Sequence, residues 1–125
     1  QDSFACVPAV AHSADGVNWT LSKCSTTVGG SASSVCVGMR GAVKVVLVGC
    51  NDGRIYQSTD NMMSWSQVNT FGAGNVVWRI VDNGGSFIAV GGGGTIRRSA
   101  DGDSGTWSDS THGLTSSVVN IVALP

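Results

Sequence analysis

The stretch "RRSADGDSGTW" at residues 97–107 contains a short pattern: Ser, any residue, Asp, a small polar gap and then Trp. The same pattern stands in "AHSADGVNW" at 11–19 and in "YQSTDNMMSW" at 56–65. The three copies begin at Ser13, Ser58 and Ser99, 45 and 41 residues apart. A pattern that recurs at such intervals predicts a fold assembled from repeated structural units.

The repeat extends well beyond the short pattern. When Ser58 is placed on Ser99, residues 35–58 align with residues 76–99 without a gap. Each later Trp is followed 11 residues on by a Val, so "VVNIVALP" at 118–125 begins a further unit. In this alignment Pro125 corresponds to Asn83 and Gln1 to Gly84, which are adjacent positions of the repeat. The last residues of the chain and its first residues therefore match consecutive parts of one unit.

Each unit is predicted to hold four short antiparallel strands, because runs rich in Val and Ile alternate with Gly, Asn and Asp turns. Four strands repeating every 41 to 45 residues are typical of a β-propeller blade, with a stand-alone sandwich as the alternative. The predicted strands are 35–40, 45–50, 54–58 and 65–69 in the second unit, and 76–82, 86–91, 95–99 and 107–109 in the third.

The second copy of the pattern, Ser58-x-Asp60-x-Met62-x-Ser64-Trp65, resembles the Asp-box, or bacterial neuraminidase repeat, except that Met62 replaces the usual Gly. The resemblance implies an all-β propeller like those of sialidase-like and photosystem II assembly factor-like repeats. It also implies that the Asp accepts backbone hydrogen bonds, that the Trp packs between sheets, and that the motif is structural. The structural residues are Ser13, Asp15, Trp19, Ser58, Asp60, Trp65, Ser99, Asp101 and Trp107.

The chain is predicted to be one unit of three blades: blade one at 1–33 plus strand 116–125, blade two at 34–74, and blade three at 75–115. Propeller rings usually hold about four to eight blades, and here the first blade lacks its innermost strand. We expect the C-terminal strand to complete that blade in cis or from a neighbouring copy. The product is a closed ring, an open filament or part of a longer tandem chain. The assembly strand carries Val118, Val119, Ile121 and Leu124.

The chain has four cysteines and no CxxC spacing, which argues against a zinc site. An even count in a Ser- and Gly-rich chain favours disulfides and an extracellular setting. Cys36 and Cys50 lie symmetrically about residue 43, so a cross-strand disulfide is expected between them. Cys6 and Cys24 would then pair by elimination, and the other two connectivities remain open.

Catalysis is not expected, because the chain has no Glu and a single Tyr, Tyr56. The sialidase relatives need a Tyr nucleophile with a Glu partner, an arginine cluster and an acid/base Asp. The net charge of −1 argues against nucleic-acid binding, and no apolar run reaches the length of a membrane span. We therefore expect no enzyme activity, no cofactor, no metal, no nucleic-acid partner and no membrane insertion.

The leading functional interpretation is a structural or adhesive unit, located extracellularly or on a cell or virion surface. It would join head to tail with copies of itself, as in a surface filament, an adhesin or a virion appendage. The alternative is a carbohydrate-binding lectin that forms a closed oligomeric ring, and glycans would then be its partners. The candidate ligand-binding residues are Trp78, Phe71, Asn51, Asp52 and His112, although Trp78 also suits a gap between blades or chains.

Overall fold

The computed structural model describes residues 7–26, 29–110, 116, 118, 120 and 121 of the 125-residue chain. These residues form an all-β fold of three separate antiparallel sheets, with almost no helix. Within the described ranges, no helix is long and apolar enough to cross a membrane. The described strands form no closed barrel or ring, so the propeller arrangement stays a prediction.

Neighbouring strands in each sheet follow one another along the chain, as in a β-meander. Sheet 1 contains β1 (Ala9–His12) and β2 (Thr20–Lys23). Sheet 2 contains β3 (Ala32–Arg40), β4 (Val43–Cys50), β5 (Arg54–Ser58) and β6 (Ser66–Thr70). Sheet 3 contains β7 (Val77–Asp82), β8 (Phe87–Gly91), β9 (Ile96–Ser99) and β10 (Ser108–Asp109), with a 3-10 turn at Gly92–Gly94.

The strands of the second and third units lie close to where their hydrophobic runs and turns predict them. A tight turn at Gly41 and Ala42 joins β3 to β4, and Gly41 has φ 62°, which glycine adopts without steric cost. The first strand of the second unit begins at Ala32, three residues before the predicted start at 35. Sheet 1 matches the third and fourth strands of the later units, since β1 leads into the first Ser-x-Asp corner and β2 follows it.

Two hydrophobic cores lie on the two sides of sheet 2. Leu47 and Ile55 pack with residues of sheet 3, including Phe87. Val48 and Tyr56, which are cross-strand partners, belong to the second core with Cys24 and Val10 of sheet 1. Because side chains alternate along a strand, sheet 2 contributes one face to each core and lies between the other two sheets.

An ion pair joins sheet 2 to sheet 3 at the ends of β3 and β7. Arg40 Nη2 lies 2.9 Å from Asp82 Oδ1, and the guanidinium carbon lies 4.0 Å from the centre of the Phe87 ring. Arg40 Nε also donates to the carbonyl of Ala100 at 2.5 Å. The hydrogen bonds from Arg40 lower the pKa of Asp82 below its usual value. Arg40 of sheet 2 therefore contacts a carboxylate and an aromatic ring of sheet 3, and the backbone carbonyl that follows β9.

The predicted Cys36–Cys50 disulfide is wrong. The β3–β4 turn is centred between residues 41 and 42 rather than at residue 43, so Cys36 lies opposite Leu47 and Cys50 opposite Ala32. Both thiols are free, and Cys36 packs on the sheet 3 side whereas Cys50 packs on the sheet 1 side.

Cys24, the predicted partner of Cys6, is also a free and buried thiol. Cys6 itself lies outside the described residues, so the Cys6–Cys24 pairing stays a prediction. Burial raises the pKa of the Cys24 thiol to about 11 and that of Cys50 to about 12.

Candidate interaction surface

The first Ser-x-Asp corner is held by its own side chains. Asp15 Oδ1 accepts the backbone N–H groups of Val17 and Asn18, both at 2.8 Å. Ser13 Oγ accepts the N–H of Gly16 at 2.8 Å. These donors, led by the N–H of Asn18, hold the pKa of Asp15 well below its usual range.

The second corner uses the same bonds one position later. Ser58 Oγ accepts the N–H of Met62 at 2.9 Å, and Asp60 Oδ1 accepts the N–H of Ser64 at 2.9 Å. The Ser64 hydroxyl also donates to Asp60 Oδ2. These bonds, with the Ser64 hydroxyl first among them, lower the pKa of Asp60 to about 2. The carboxylate therefore stays charged in mild acid and keeps the turn closed.

The third corner repeats the arrangement in a more buried setting. Asp101 Oδ1 accepts the N–H of Asp103 at 2.9 Å and the hydroxyl of Thr106 at 2.8 Å. Ser99 is only 2 % exposed, and its Oγ accepts the N–H of Gly102 at 2.8 Å. The pKa of Asp101 is lowered, chiefly by the Asp103 N–H. The Asp-to-backbone hydrogen bonds predicted from the sequence are thus present in all three corners.

Met62 departs from the Gly of the resembled motif, and its backbone explains why Gly is usual there. Met62 has φ 66° and Asn61 has φ 63°, both in the left-handed region that L residues rarely adopt. The carbonyl of Met62 accepts a hydrogen bond from Ser22 Oγ at 2.6 Å, which any residue at this position retains.

We expect the free energy of unfolding of Met62→Gly to be about 1 kcal/mol higher than that of Met62→Ala. Only glycine adopts this positive φ without strain. Met62→Ala is the matched control, since both variants lose the Met side chain and keep the carbonyl. Urea denaturation of the two proteins measures the difference. Equal stabilities would contradict a left-handed conformation at this residue.

The three tryptophans of the corners have different surroundings. Trp65 is half-buried, packs against the sheet 1–sheet 2 core, and donates from Nε1 to Ser22 Oγ at 2.8 Å. Trp107 is half-buried against the sheet 2–sheet 3 core. Trp19 is 61 % exposed. The predicted packing between sheets therefore holds for Trp65 and Trp107, whereas the ring of Trp19 is open to solvent.

A second open area lies on β3, and we call it the β3 stripe: Val35, Val37 and Met39, which are 53 %, 58 % and 54 % exposed. Val35 lies opposite Val48, so the stripe is on the side of sheet 2 that faces sheet 1. A groove of about 310 Å³ lies beside it, lined by residues 9–11 of β1 and 32–35 of β3. Among the described residues, no strand pairs with the free edge of β1.

The four described candidate ligand-binding residues lie in different surroundings. Phe71 is 6 % exposed and belongs to the sheet 2–sheet 3 core, so its predicted role as a stacking plate is wrong. Asn51 Oδ1 accepts the N–H of Ser31 at 2.9 Å, and Asp52 forms an ion pair with Arg54. Trp78 is 42 % exposed. His112 lies outside the described residues.

The tail is described only in part. Val118 N donates to the carbonyl of Gly91 at 2.9 Å, at the end of β8, and neither Val118 nor Ile121 lies in a strand. Val119 and Leu124 lie outside the described residues, so the assembly strand stays a prediction.

Within the described part of the chain, no three His, Cys, Asp or Glu side chains come together as metal ligands. Comparison of the chain with protein-family models, with curated proteins and with solved structures gave no match. The surface is therefore interpreted from the chain's own contacts.

Sequence reasoning missed the features that define this surface. The β3 stripe alternates apolar and polar residues like any half-buried strand, so its exposure has no local signal. The repeat does contain a signal, because Met39 aligns with Ile80, which is 2 % exposed against sheet 2. The two aligned positions therefore differ in burial, which a strand-by-strand reading of the sequence does not predict.

Proposed function

We propose that the chain is a non-catalytic structural or adhesive unit that joins head to tail with copies of itself. In this proposal its three sheets are propeller blades, and the C-terminal strand of one copy completes sheet 1 of the next. The extracellular setting, on a cell or virion surface, loses its disulfide argument because Cys24, Cys36 and Cys50 are free thiols.

The observation that carries the proposal is the exposed β3 stripe beside the edge of β1 with which no described strand pairs. Three apolar side chains on alternate residues of one strand are each more than half exposed, and such patches mark interaction sites. Ile80, the counterpart of Met39, is buried in the interface of sheet 3 with sheet 2. The contrast supports a partner strand that covers the stripe.

The occupant we propose is an extended apolar segment, because an open strand edge offers a row of unpaired backbone groups. Residues 118–124 of a second copy have the apolar content that the stripe needs. The chain's own tail meets sheet 3 where Val118 bonds to Gly91, and sheet 2 stands between sheets 1 and 3. The tail of a second copy therefore suits the groove better than the chain's own tail.

Deletion of residues 116–125 tests the proposal. We expect the full chain to form particles larger than a monomer and the deleted chain to remain monomeric or to aggregate irregularly. Light scattering after size-exclusion chromatography measures the mass, and negative-stain imaging separates closed rings from open filaments. The proposal fails if the deleted chain assembles like the full one, or if the full chain stays monomeric at the highest concentration reached.

A peptide of residues 116–125 provides the control for misfolding, because it acts on the intact protein. Excess peptide should compete for the groove and lower the mass of assemblies of the full chain. A matched peptide with Val119→Asp and Ile121→Asp places charges on the apolar strand, and it should leave the assemblies unchanged.

A further inference from the structure

The first and third corners share one sequence and one local structure. Both read Ser-Ala-Asp-Gly, at 13–16 and at 99–102. Gly16 has φ 76° and Gly102 has φ 83°, and each donates its N–H to the corner Ser at 2.8 Å. The loops that follow differ in length, since three residues separate Asp15 from Trp19 and five separate Asp101 from Trp107.

The third corner is covered by sheet 2. A methyl group added at Gly102 would lie 3.2 Å from Leu47 Cδ2 and 3.2 Å from Gln57 Nε2. Gln57 Nε2 also donates to Asp103 Oδ1 at 2.8 Å, so the strand next to the corner supplies both an apolar contact and a hydrogen-bond donor.

Among the residues that the structure describes, the first corner has no such cover. A methyl group added at Gly16 would meet none of their atoms within 4 Å. Val17, which aligns with Asp103, is 78 % exposed, and Trp19 is 61 % exposed. The first corner therefore has the same Ser-to-Gly hydrogen bond as the third corner, but no described residue packs on it.

The surface that matches the partner lies on sheet 3. Leu47 aligns with Ile88, and Gln57 with Arg98, each 41 residues further on. Ile88 and Arg98 are cross-strand partners, Ile88 is half-buried and Arg98 is exposed. The neighbour of Ile88, Ala89, packs in the core with sheet 2, so Ile88 faces the opposite side.

We propose that the outer face of sheet 3, around Ile88 and Arg98, binds the first corner of a second copy. Ile88 would cover Gly16 as Leu47 covers Gly102. Arg98 would donate to the corner as Gln57 does, and its positive charge would lie near the carboxylate of Asp15. This inference rests on the proposed self-assembly and names a second contact within it, separate from the tail strand.

Cross-linking of two variants, each with one added cysteine, tests the contact directly. Val17→Cys and Arg98→Cys replace the counterparts of Asp103 and Gln57, whose side chains are hydrogen-bonded at 2.8 Å. A short bismaleimide should link the two variants when they are mixed, giving a covalent dimer. Each variant mixed with the wild type is the control for cross-links to the native cysteines. The proposal is overturned if the mixture gives no more dimer than these controls.

Ile88→Asp supplies an independent measurement of association. We expect it to weaken association by at least tenfold, since a charge would be buried at the centre of an apolar contact. Met63→Asp is the matched control, because Met63 is 86 % exposed and belongs to the second corner, and it should leave association unchanged. Circular dichroism checks that both variants fold.

The two proposals fail separately. If tail deletion abolishes assembly while Ile88→Asp and the cross-linking mixture behave as their controls, the face contact is overturned and self-assembly stands. If the full chain never exceeds a monomer, both proposals fall.

Discussion

Phe87→Ala is expected to lower the free energy of unfolding by about 3–5 kcal/mol, the usual cost of removing a buried aromatic ring. Phe87 is fully buried, and its ring lies under the guanidinium of Arg40 and against Gly38, where an added methyl would lie 2.8 Å from Cε1. The variant therefore loses apolar burial and the cation–π contact, and leaves a cavity between sheets 2 and 3. A domain of this size has about 5–15 kcal/mol of stability, so the change is large.

Two variants set the scale for this measurement. Phe87→Leu keeps most of the apolar volume and should cost less than about 1.5 kcal/mol plus the lost cation–π contact. Met63→Ala removes a side chain that is 86 % exposed and lies outside the β3 stripe, so it should change the stability little. Denaturant unfolding followed by Trp fluorescence reports all three. If Phe87→Ala unfolds with nearly wild-type stability, sheets 2 and 3 do not pack together in solution.

Asp101→Ala is expected to lower the free energy of unfolding by about 1–2 kcal/mol, a value reduced for the partial exposure of the carboxylate. The substitution removes the acceptor for the Asp103 N–H and the Thr106 hydroxyl, in a corner where Gly102 is buried. Asp15→Ala is the matched control, since Asp15 and Gly16 of the same four-residue sequence are exposed and water can replace the lost acceptor. We expect a smaller change for it.

The pH dependence of the same variant follows from the lowered pKa of Asp101. A carboxylate whose pKa is lower in the folded state stabilises the fold above its ordinary pKa of about 4. That stabilisation is lost as the pH falls through the folded-state value. The difference between wild type and Asp101→Ala should therefore be full at pH 7 and shrink in acid. A difference that stays constant from pH 7 down to the acid transition would contradict the role of the ionised carboxylate.

The strands and corners follow from local sequence, which is why they were predictable. Gly41 and the short polar turns fix where each strand ends, and the Ser-x-Asp pattern contains its own hydrogen-bond partners. Such features depend on neighbours a few residues away. The repeat then transfers each local prediction from one unit to the next.

The errors arose where the structure depends on details that the pattern does not contain. A turn centred one to two residues earlier than predicted, and a bulge between Ala32 and Ser34, moved Cys36 away from Cys50. Phe71 was interpreted as an exposed plate because it stands in a polar loop. Its N–H in fact donates to the Gly53 carbonyl at 2.7 Å, and its ring enters the core. The Arg40–Asp82 pair joins residues 42 positions apart and has no local signal.

Ser22 has a role beyond the two bonds that it makes. Its hydroxyl accepts from Trp65 Nε1 and donates to the Met62 carbonyl, so one oxygen is tied to two points of the adjoining sheet. Apolar contacts hold sheet 1 against sheet 2 but resist a sliding motion only weakly. Several relative positions of the two sheets would bury nearly the same apolar area. Two directional hydrogen bonds at one hydroxyl are satisfied in only one relative position of the sheets. Ser22 therefore helps to fix the position of sheet 1 along sheet 2.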